Sequence, residues 1–243
     1  MSLFALPRLP QWLQLPVHCL LCGQSCAVDG AAICPACFAE LPWLGPHCVQ
    51  CALPLSRPGL RCGTCQKQPP SFDQVIAPWR YAFPVDSLIS RFKHQAKLPL
   101  GHLLAQLLRE HLHQRFSQGL SKPDTLLPVP LAPLRQRQRG FNQAELLGRW
   151  LAPQLGITLH QHWLTRLVET PAQQQLDAAT RKRNLRGAFA LSAASQVKNR
   201  HIALLDDVLT TGATAQSLAL LLKRSGAARV DVYCLARTPS PGA

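Results

Sequence analysis

Acidic residues, aromatic rings and long apolar runs are all scarce in this chain. Twelve Asp and Glu stand against 26 Lys and Arg over 243 residues, a formal net charge of +14. The imbalance is local. Residues 1–65 hold three basic residues (Arg8, Arg57, Arg61) and two acidic ones (Asp29, Glu40), so the remaining 23 basic and 10 acidic residues fall in 66–243. A basic surface of that kind favours phosphorylated substrates, pyrophosphate or nucleic acid. Aromatic content of 6% supplies few stacking platforms and weighs against an extensive single-strand groove. No stretch is long enough to span a bilayer, which argues against membrane insertion. Pro7, Arg8, Pro10 and Pro16 break any secretory apolar segment at the N-terminus, so a cytoplasmic protein is expected. No nucleophilic triad and no strong general base stand out, so catalysis here would rest on positioning and electrostatics.

Cysteine is abundant by contrast. Eight of ten cysteines form four CxxC pairs: Cys19/Cys22, Cys34/Cys37, Cys48/Cys51 and Cys62/Cys65, with spacers of 11, 10 and 10 residues. Each pair lets two thiolates on one tight turn face one ion, and two pairs make the tetrahedral sulfur set that zinc prefers. A cytosolic chain with evenly spaced pairs points to metal rather than disulfides or a redox dithiol. One or two structural zinc ions are expected, with either sequential pairing or an interleaved cross-brace. The region is rich in Pro and Gly and too short for its own apolar core, so metal would supply the folding energy. It is nearly neutral, which suits docking of a protein partner or bracing better than phosphate binding. Gln66–Ser71 reads as a linker, giving a ribbon module over 1–68 and a second domain over 69–243. Cys234 lies in a strand pattern and is expected to be a buried small hydrophobe.

The densest signal is HIALLDDVLTTGAT, residues 201–214. His201–Leu205 reads as a buried strand ending at Asp206 and Asp207. Thr210, Thr211, Gly212, Ala213 and Thr214 form a turn of small residues, and Ala215–Arg224 a helix with Gly226 at its C-terminal end. A helix N-terminus aims unpaired N–H groups and a positive dipole end at whatever lies above it. Hydroxyls of Thr and a backbone opened by Gly complete a phosphate cradle, and two carboxylates one loop away can accept from ribose hydroxyls. The ligand implied is a ribose carrying a terminal phosphate.

The middle of the chain repeats that logic. Phe72–Tyr81 reads as a strand, Val85–Gln95 and Leu100–Phe116 as helices, and Arg91, Lys93, His94 and Lys97 make one of them strongly basic, either as a phosphate contact or as a solvated face. Thr125–Leu131 reads as a strand running into a loop, Ala132–Gly140, that carries Arg135, Arg137 and Arg139. A helix follows and ends near Gly156. Arginines at the carboxyl end of a strand suit a multiply charged anion such as pyrophosphate.

These residues resemble known proteins at two levels. The Asp-Asp-x-x-Thr-Thr-Gly-x-Thr pattern is similar to the signature of type I phosphoribosyltransferases, which bind phosphoribosyl pyrophosphate (PRPP). The PVP-L and RxRGFNQAELL stretches, with Arg166, Thr170, Gln173, Arg181, Asn184, Gly187, Ala188 and Phe189, resemble the ComF/GntX family of phosphoribosyltransferase-like proteins linked to competence and DNA utilisation. The chain departs at Val168, where the family often carries a second arginine. The resemblance implies an α/β fold, a type I phosphoribosyltransferase-like parallel sheet flanked by helices and preceded by the Cys-rich ribbon module. It also implies PRPP or a related sugar phosphate as ligand, with magnesium, and a glycosyl-transfer enzyme whose acceptor no residue identifies. In that frame Asp206 and Asp207 act at the ribose, Thr210–Thr214 hold its phosphate, and Arg135, Arg137 and Arg139 receive pyrophosphate. Thr170, Gln173, Arg181 and Asn184 lie in a lid over the reactive sugar. The alternative is a non-catalytic protein of a DNA-uptake machinery that senses a nucleotide or holds single-stranded DNA.

Overall fold

Both cysteine quartets are built the same way. The computed structural model describes residues 18–26, 32–167, 187–193 and 195–239, and the chain divides into two compact units, Met1–Leu41 and Pro42–Ala243. In the smaller unit an isolated bridge joins His18 to Ser25 around the Cys19/Cys22 turn, which Gly23 closes at φ +73°. Cys34 then caps helix α1 (Pro35–Ala39) from an extended conformation. The larger unit repeats this, with a bridge from His47 to Pro54, Ala52 at φ +56°, and Cys62 capping helix α2 (Gly63–Lys67). The four Sγ atoms of Cys19, Cys22, Cys34 and Cys37 lie within 4.8 Å of one another, and so do those of Cys48, Cys51, Cys62 and Cys65. The Cys22–Cys34 and Cys51–Cys62 sulfurs are 3.8 and 3.6 Å apart, against the ~3.8 Å edge of a tetrahedron with Zn–S bonds of about 2.3 Å. The donor sets therefore fit zinc, and the pairing is sequential rather than cross-braced. The ribbon module was expected over 1–68, whereas by packing the chain divides after Leu41.

The rest of the larger unit is a parallel α/β structure. Its elements run β1 (Gln74–Ile76), β2 (Trp79–Arg80), α3 (Val85–Gln95), α4 (Leu98–Ser117), β3 (Thr125–Pro128), α5 (Pro133–Arg139), α6 (Gln143–Leu155), β4 (Thr158–Leu159), β5 (Leu164–Arg166), β6 (Phe189–Leu191), β7 (His201–Leu209), α7 (Ala213–Arg224) and β8 (Arg229–Arg237). The sheet order is β1-β8-β7-β3-β4 with β2 also on β8, and every pairing in it is parallel. β5 and β6 form a separate antiparallel pair. The central strands are apolar on both sides because helices cover both faces. Ile202 and Leu204 share a buried cluster with Leu218 and Leu222 of α7. Leu205, one residue out of phase, lies on the α6 side, its Cδ2 3.6 Å from where a Cβ on Gly148 would stand. Period two thus assigns alternate β7 residues to opposite layers.

Several expected boundaries shift. The strand expected over Phe72–Tyr81 is two short pieces, β1 and β2, and the one expected over Thr125–Leu131 ends at Pro128. The strand expected over His201–Leu205 continues to Leu209, since Val208 and Leu209 stay in register with Ala236 and Arg237, so Asp206 and Asp207 lie inside the strand. The helix expected from Ala215 begins at Ala213. The loop expected over Ala132–Gly140 is a helix, with Pro133 at its first turn and Gly140 closing it at φ +82°, an arrangement that favours helix at both ends. Cys234 is fully buried in β8, as expected. Among the described residues no helix is long and apolar enough to cross a membrane.

Candidate sugar-phosphate site

At the carboxyl ends of β3 and β7 lies a cavity of about 690 Å³, within the range of small-ligand sites. β7 delivers Asp206 and Asp207, the turn after it delivers Thr210 to Thr214, α5 delivers Arg135 and Arg139, α3 delivers Lys93 and His94, and β5 delivers Arg166. Four fixed cations thus face two carboxylates, an environment for an anion larger than the acid pair can balance.

The phosphate end follows from local backbone. Gly212 is the N-cap of α7 at φ +76° and makes no side-chain capping bond; Thr211 Oγ1 accepts from Ala213 N at 3.3 Å, and the Thr214 and Ala215 N–H groups of the first turn are left to a ligand or water. At the N-terminus of α6, by contrast, Asn142 Oδ1 accepts from Ala144 N at 3.0 Å. Left-handed backbone at Gly212 costs a residue with a Cβ about 1–2 kcal/mol, while the nearest atom to such a Cβ is Phe72 Cε1 at 3.9 Å, an ordinary contact. Gly212→Ala is therefore expected to lower unfolding stability by that conformational cost alone, read from the urea midpoint. An unchanged midpoint would show that the turn relaxes out of the left-handed region.

The two acids differ because adjacent strand residues face opposite layers. Asp207 is almost fully buried, and Lys93 Nζ of α3 sits 2.6 Å from its Oδ2. Asp206 belongs to the other layer and feels Arg166. Enclosure raises the Asp206 pKa to about 6, with Lys93 and Arg166 opposing. Burial lowers the Lys93 pKa to about 8; the Asp206 charge opposes this and Arg139 and Arg135 add to it. Arg139 is lowered by burial and by Arg135, and its guanidinium donates to Gln143 Oε1. Arg166, buried at the end of β5, stacks over Phe189 at 5.5 Å.

The sequence-derived residues separate clearly. Asp206, Asp207, Thr210, Thr211, Gly212, Ala213, Thr214, Arg135 and Arg139 all line the cavity. Arg137 is exposed and does not, because positions 135 and 139 share one face of α5 and 137 lies off it. Thr170, Gln173, Arg181 and Asn184 lie outside the described residues. Lys93, Arg166 and Tyr81 were not assigned to the site from sequence. For Lys93 a signal existed: it follows Ile89 by four residues, adjoining the buried stripe of Val85, Leu88, Ile89 and Phe92.

A double zinc ribbon domain model matches residues 11–66. The solved purine phosphoribosyltransferase from Pyrococcus horikoshii is 19% identical, with a TM-score of 0.34 over 55% of this chain and 70% of that one. Competence protein F of Haemophilus influenzae is 34% identical over 222 residues, 90% of this chain and 96% of the relative. DNA utilization protein YhgH of Salmonella typhimurium is 39% identical over 227 residues, 93% of this chain and 99% of the relative. On that identity across nearly the whole length of both proteins, the chain belongs to the ComF/GntX family.

Proposed function

We propose that the cavity binds PRPP or a closely related phosphorylated ribose, and that the protein is a phosphoribosyltransferase-type enzyme. The observation that carries this reading is the N-terminus of α7, whose N-cap Gly212 supplies no side-chain acceptor and which lines the same cavity as Asp206, Asp207, Arg135 and Arg139. Thr210 to Thr214 hold the monoester through backbone N–H groups and hydroxyls. Asp206 accepts from a ribose hydroxyl and stabilises positive charge developing at the anomeric carbon. Arg135 and Arg139 receive the departing pyrophosphate while an acceptor nitrogen takes its place. Arg137 stands outside that set.

Magnesium would enter this site only together with the ligand. Two carboxylates face the cavity and one is engaged by Lys93, so the ion would need phosphate oxygens to complete its shell, as magnesium commonly does. Bound there beside Asp206, it would neutralise pyrophosphate charge. A reducing compartment such as the cytoplasm keeps eight thiolates available for zinc. The names of the relatives, DNA utilization and competence, support a role in handling DNA that has been taken up.

PRPP binding in the presence of magnesium, measured by calorimetry, tests the assignment. Asp206→Asn/Asp207→Asn is expected to weaken it about 10–100-fold, the loss of one or two charged hydrogen bonds, while inorganic phosphate still binds. Equal PRPP affinity in wild type and double variant would overturn the assignment.

A further inference from the structure

The second cysteine quartet differs from the first in its surroundings. Cys48, Cys51, Cys62 and Cys65 are all buried, whereas Cys22 is exposed and Cys34 and Cys37 are half-buried. The second quartet shares one apolar cluster with Leu204 of β7 and Leu218 and Leu222 of α7.

Two polar struts run from this quartet to the phosphate turn. The first is Arg237, the last residue of β8 and only 7% exposed. Its Nε donates to the carbonyl of Cys51 at 2.9 Å, and its Nη1 donates to the carbonyls of Leu209 at 3.0 Å and Thr210 at 2.5 Å. A buried guanidinium needs acceptors for its fixed fork of donors, and strand-end carbonyls need donors. One side chain therefore joins a metal-ligand turn to the first residues of the phosphate turn. The second strut starts at Gln50, between the two ligands of that same turn. Its Nε2 donates to the Phe72 carbonyl at 3.4 Å, and the Phe72 ring lies beneath Gly212. Gln216, in the first turns of α7, exchanges hydrogen bonds of 2.6 and 2.9 Å with Ser71. Both ends of the turn thus rest on the segment that the second quartet folds.

We propose that the second metal site is a structural part of the sugar-phosphate site, with Arg237 as a positioning residue, so that metal loading there sets the order of residues 209–214 and their affinity for a phosphate monoester. This rests on the reading of the cavity as a sugar-phosphate site. The metal holds the Cys48–Cys51 turn closed. When it is lost, Arg237 loses its Cys51 acceptor and the support beneath Gly212 loosens. The ribbon then serves the ligand site directly rather than only a docking partner.

The test uses the full chain and two readouts. Amide hydrogen exchange over 209–216 is measured without ligand, and binding of ribose 5-phosphate by calorimetry. Cys62→Ser/Cys65→Ser, with bound zinc counted, removes the second site; Cys34→Ser/Cys37→Ser removes the first and controls for metal loss as such. Arg237→Lys keeps both metals and the charge but loses the fork, so it carries the test even where the cysteine variant does not fold. Arg237→Lys and the second-site variant are expected to speed exchange in the turn and to weaken ribose 5-phosphate binding about 10-fold or more, the usual cost of removing a group that orients a site. The first-site variant is expected to do neither. Wild-type exchange in Arg237→Lys, or equal effects from both cysteine variants, would overturn the proposal. Faster exchange in Arg237→Lys, in a protein whose wild type does not bind ribose 5-phosphate, would leave the brace standing and remove the sugar-phosphate reading instead.

Discussion

Without ligand, the protein is expected to be less stable between about pH 6 and 8 than on either side, through the charges of its cavity. The sign follows from two shifted groups. Asp206 has its pKa raised from 3.8 to about 6, so between those values the folded state holds more protons and stability falls as pH rises. Lys93 has its pKa lowered from 10.5 to about 8, so between those values the unfolded state holds more protons and stability rises with pH. Each limb is worth about 1–3 kcal/mol after allowance for solvent around partly exposed groups. Urea midpoints from pH 4 to 10 read the profile, and Asp206→Asn should remove the acid limb while the alkaline limb, no longer opposed by the Asp206 charge, starts at lower pH. A wild-type profile that parallels Asp206→Asn across that range would refute the placement of the charge. Lys93→Met is the sharper case. It leaves the almost fully buried Asp207 carboxylate without the Lys93 ammonium, and removing one member of a buried pair costs about 3–5 kcal/mol. The pair is therefore unfavourable relative to neutral groups and worse when halved. An anionic ligand meets Lys93, Arg135 and Arg139 in the pH window where they are charged and poorly balanced, which places the largest ligand-induced stabilisation near neutrality.

That charge arrangement was only half legible in the sequence. The strand, turn and helix over 201–224 were readable because a long apolar run, two acids and a set of small residues leave few other structures for the backbone. The cysteine quartets were readable because ligand spacing is local, although only the fold could distinguish sequential from crossed pairing. Arg137 was grouped with Arg135 and Arg139 because PLRQRQR was read as a loop; read as a helix between Pro133 and Gly140, the same residues separate by face. Lys93 was visible as one of four basic residues, Arg91, Lys93, His94 and Lys97, but its meeting with Asp207 depends on α3 packing near the end of β7. Arg237 gave no signal of its role. Apart from the adjacent Thr238 hydroxyl, its partners are main-chain carbonyls, one of them 186 residues away, and carbonyls have no sequence pattern.

Asp231→Ala is expected to cost about 3–5 kcal/mol of unfolding stability while leaving ribose 5-phosphate affinity within about twofold. Asp231 is fully buried near the start of β8. Its Oδ2 lies 2.9 Å from His201 Nε2 and its Oδ1 accepts from Arg229 Nε at 3.0 Å, with Gln74 Nε2 at 3.5 Å. The acids of the cavity share β7 with His201, but Asp206 stands five residues further along, roughly 16 Å away. Truncating Asp231 leaves His201 and Arg229 facing an apolar gap, a large loss for a domain whose whole stability is about 5–15 kcal/mol. Urea denaturation measures the cost, and calorimetry on the folded fraction measures the affinity. Stability within about 1 kcal/mol of wild type would show that water replaces the carboxylate and that the cluster is not structural. Arg229→Met in the Asp231→Ala background should recover part of the loss, because it removes a charge left without its partner. The contrast with Asp206 is physical. At the amino ends of β7 and β8 the buried carboxylate is fully engaged by its neighbours. At the carboxyl ends two carboxylates are enclosed with four cationic side chains, and Lys93 pairs with Asp207.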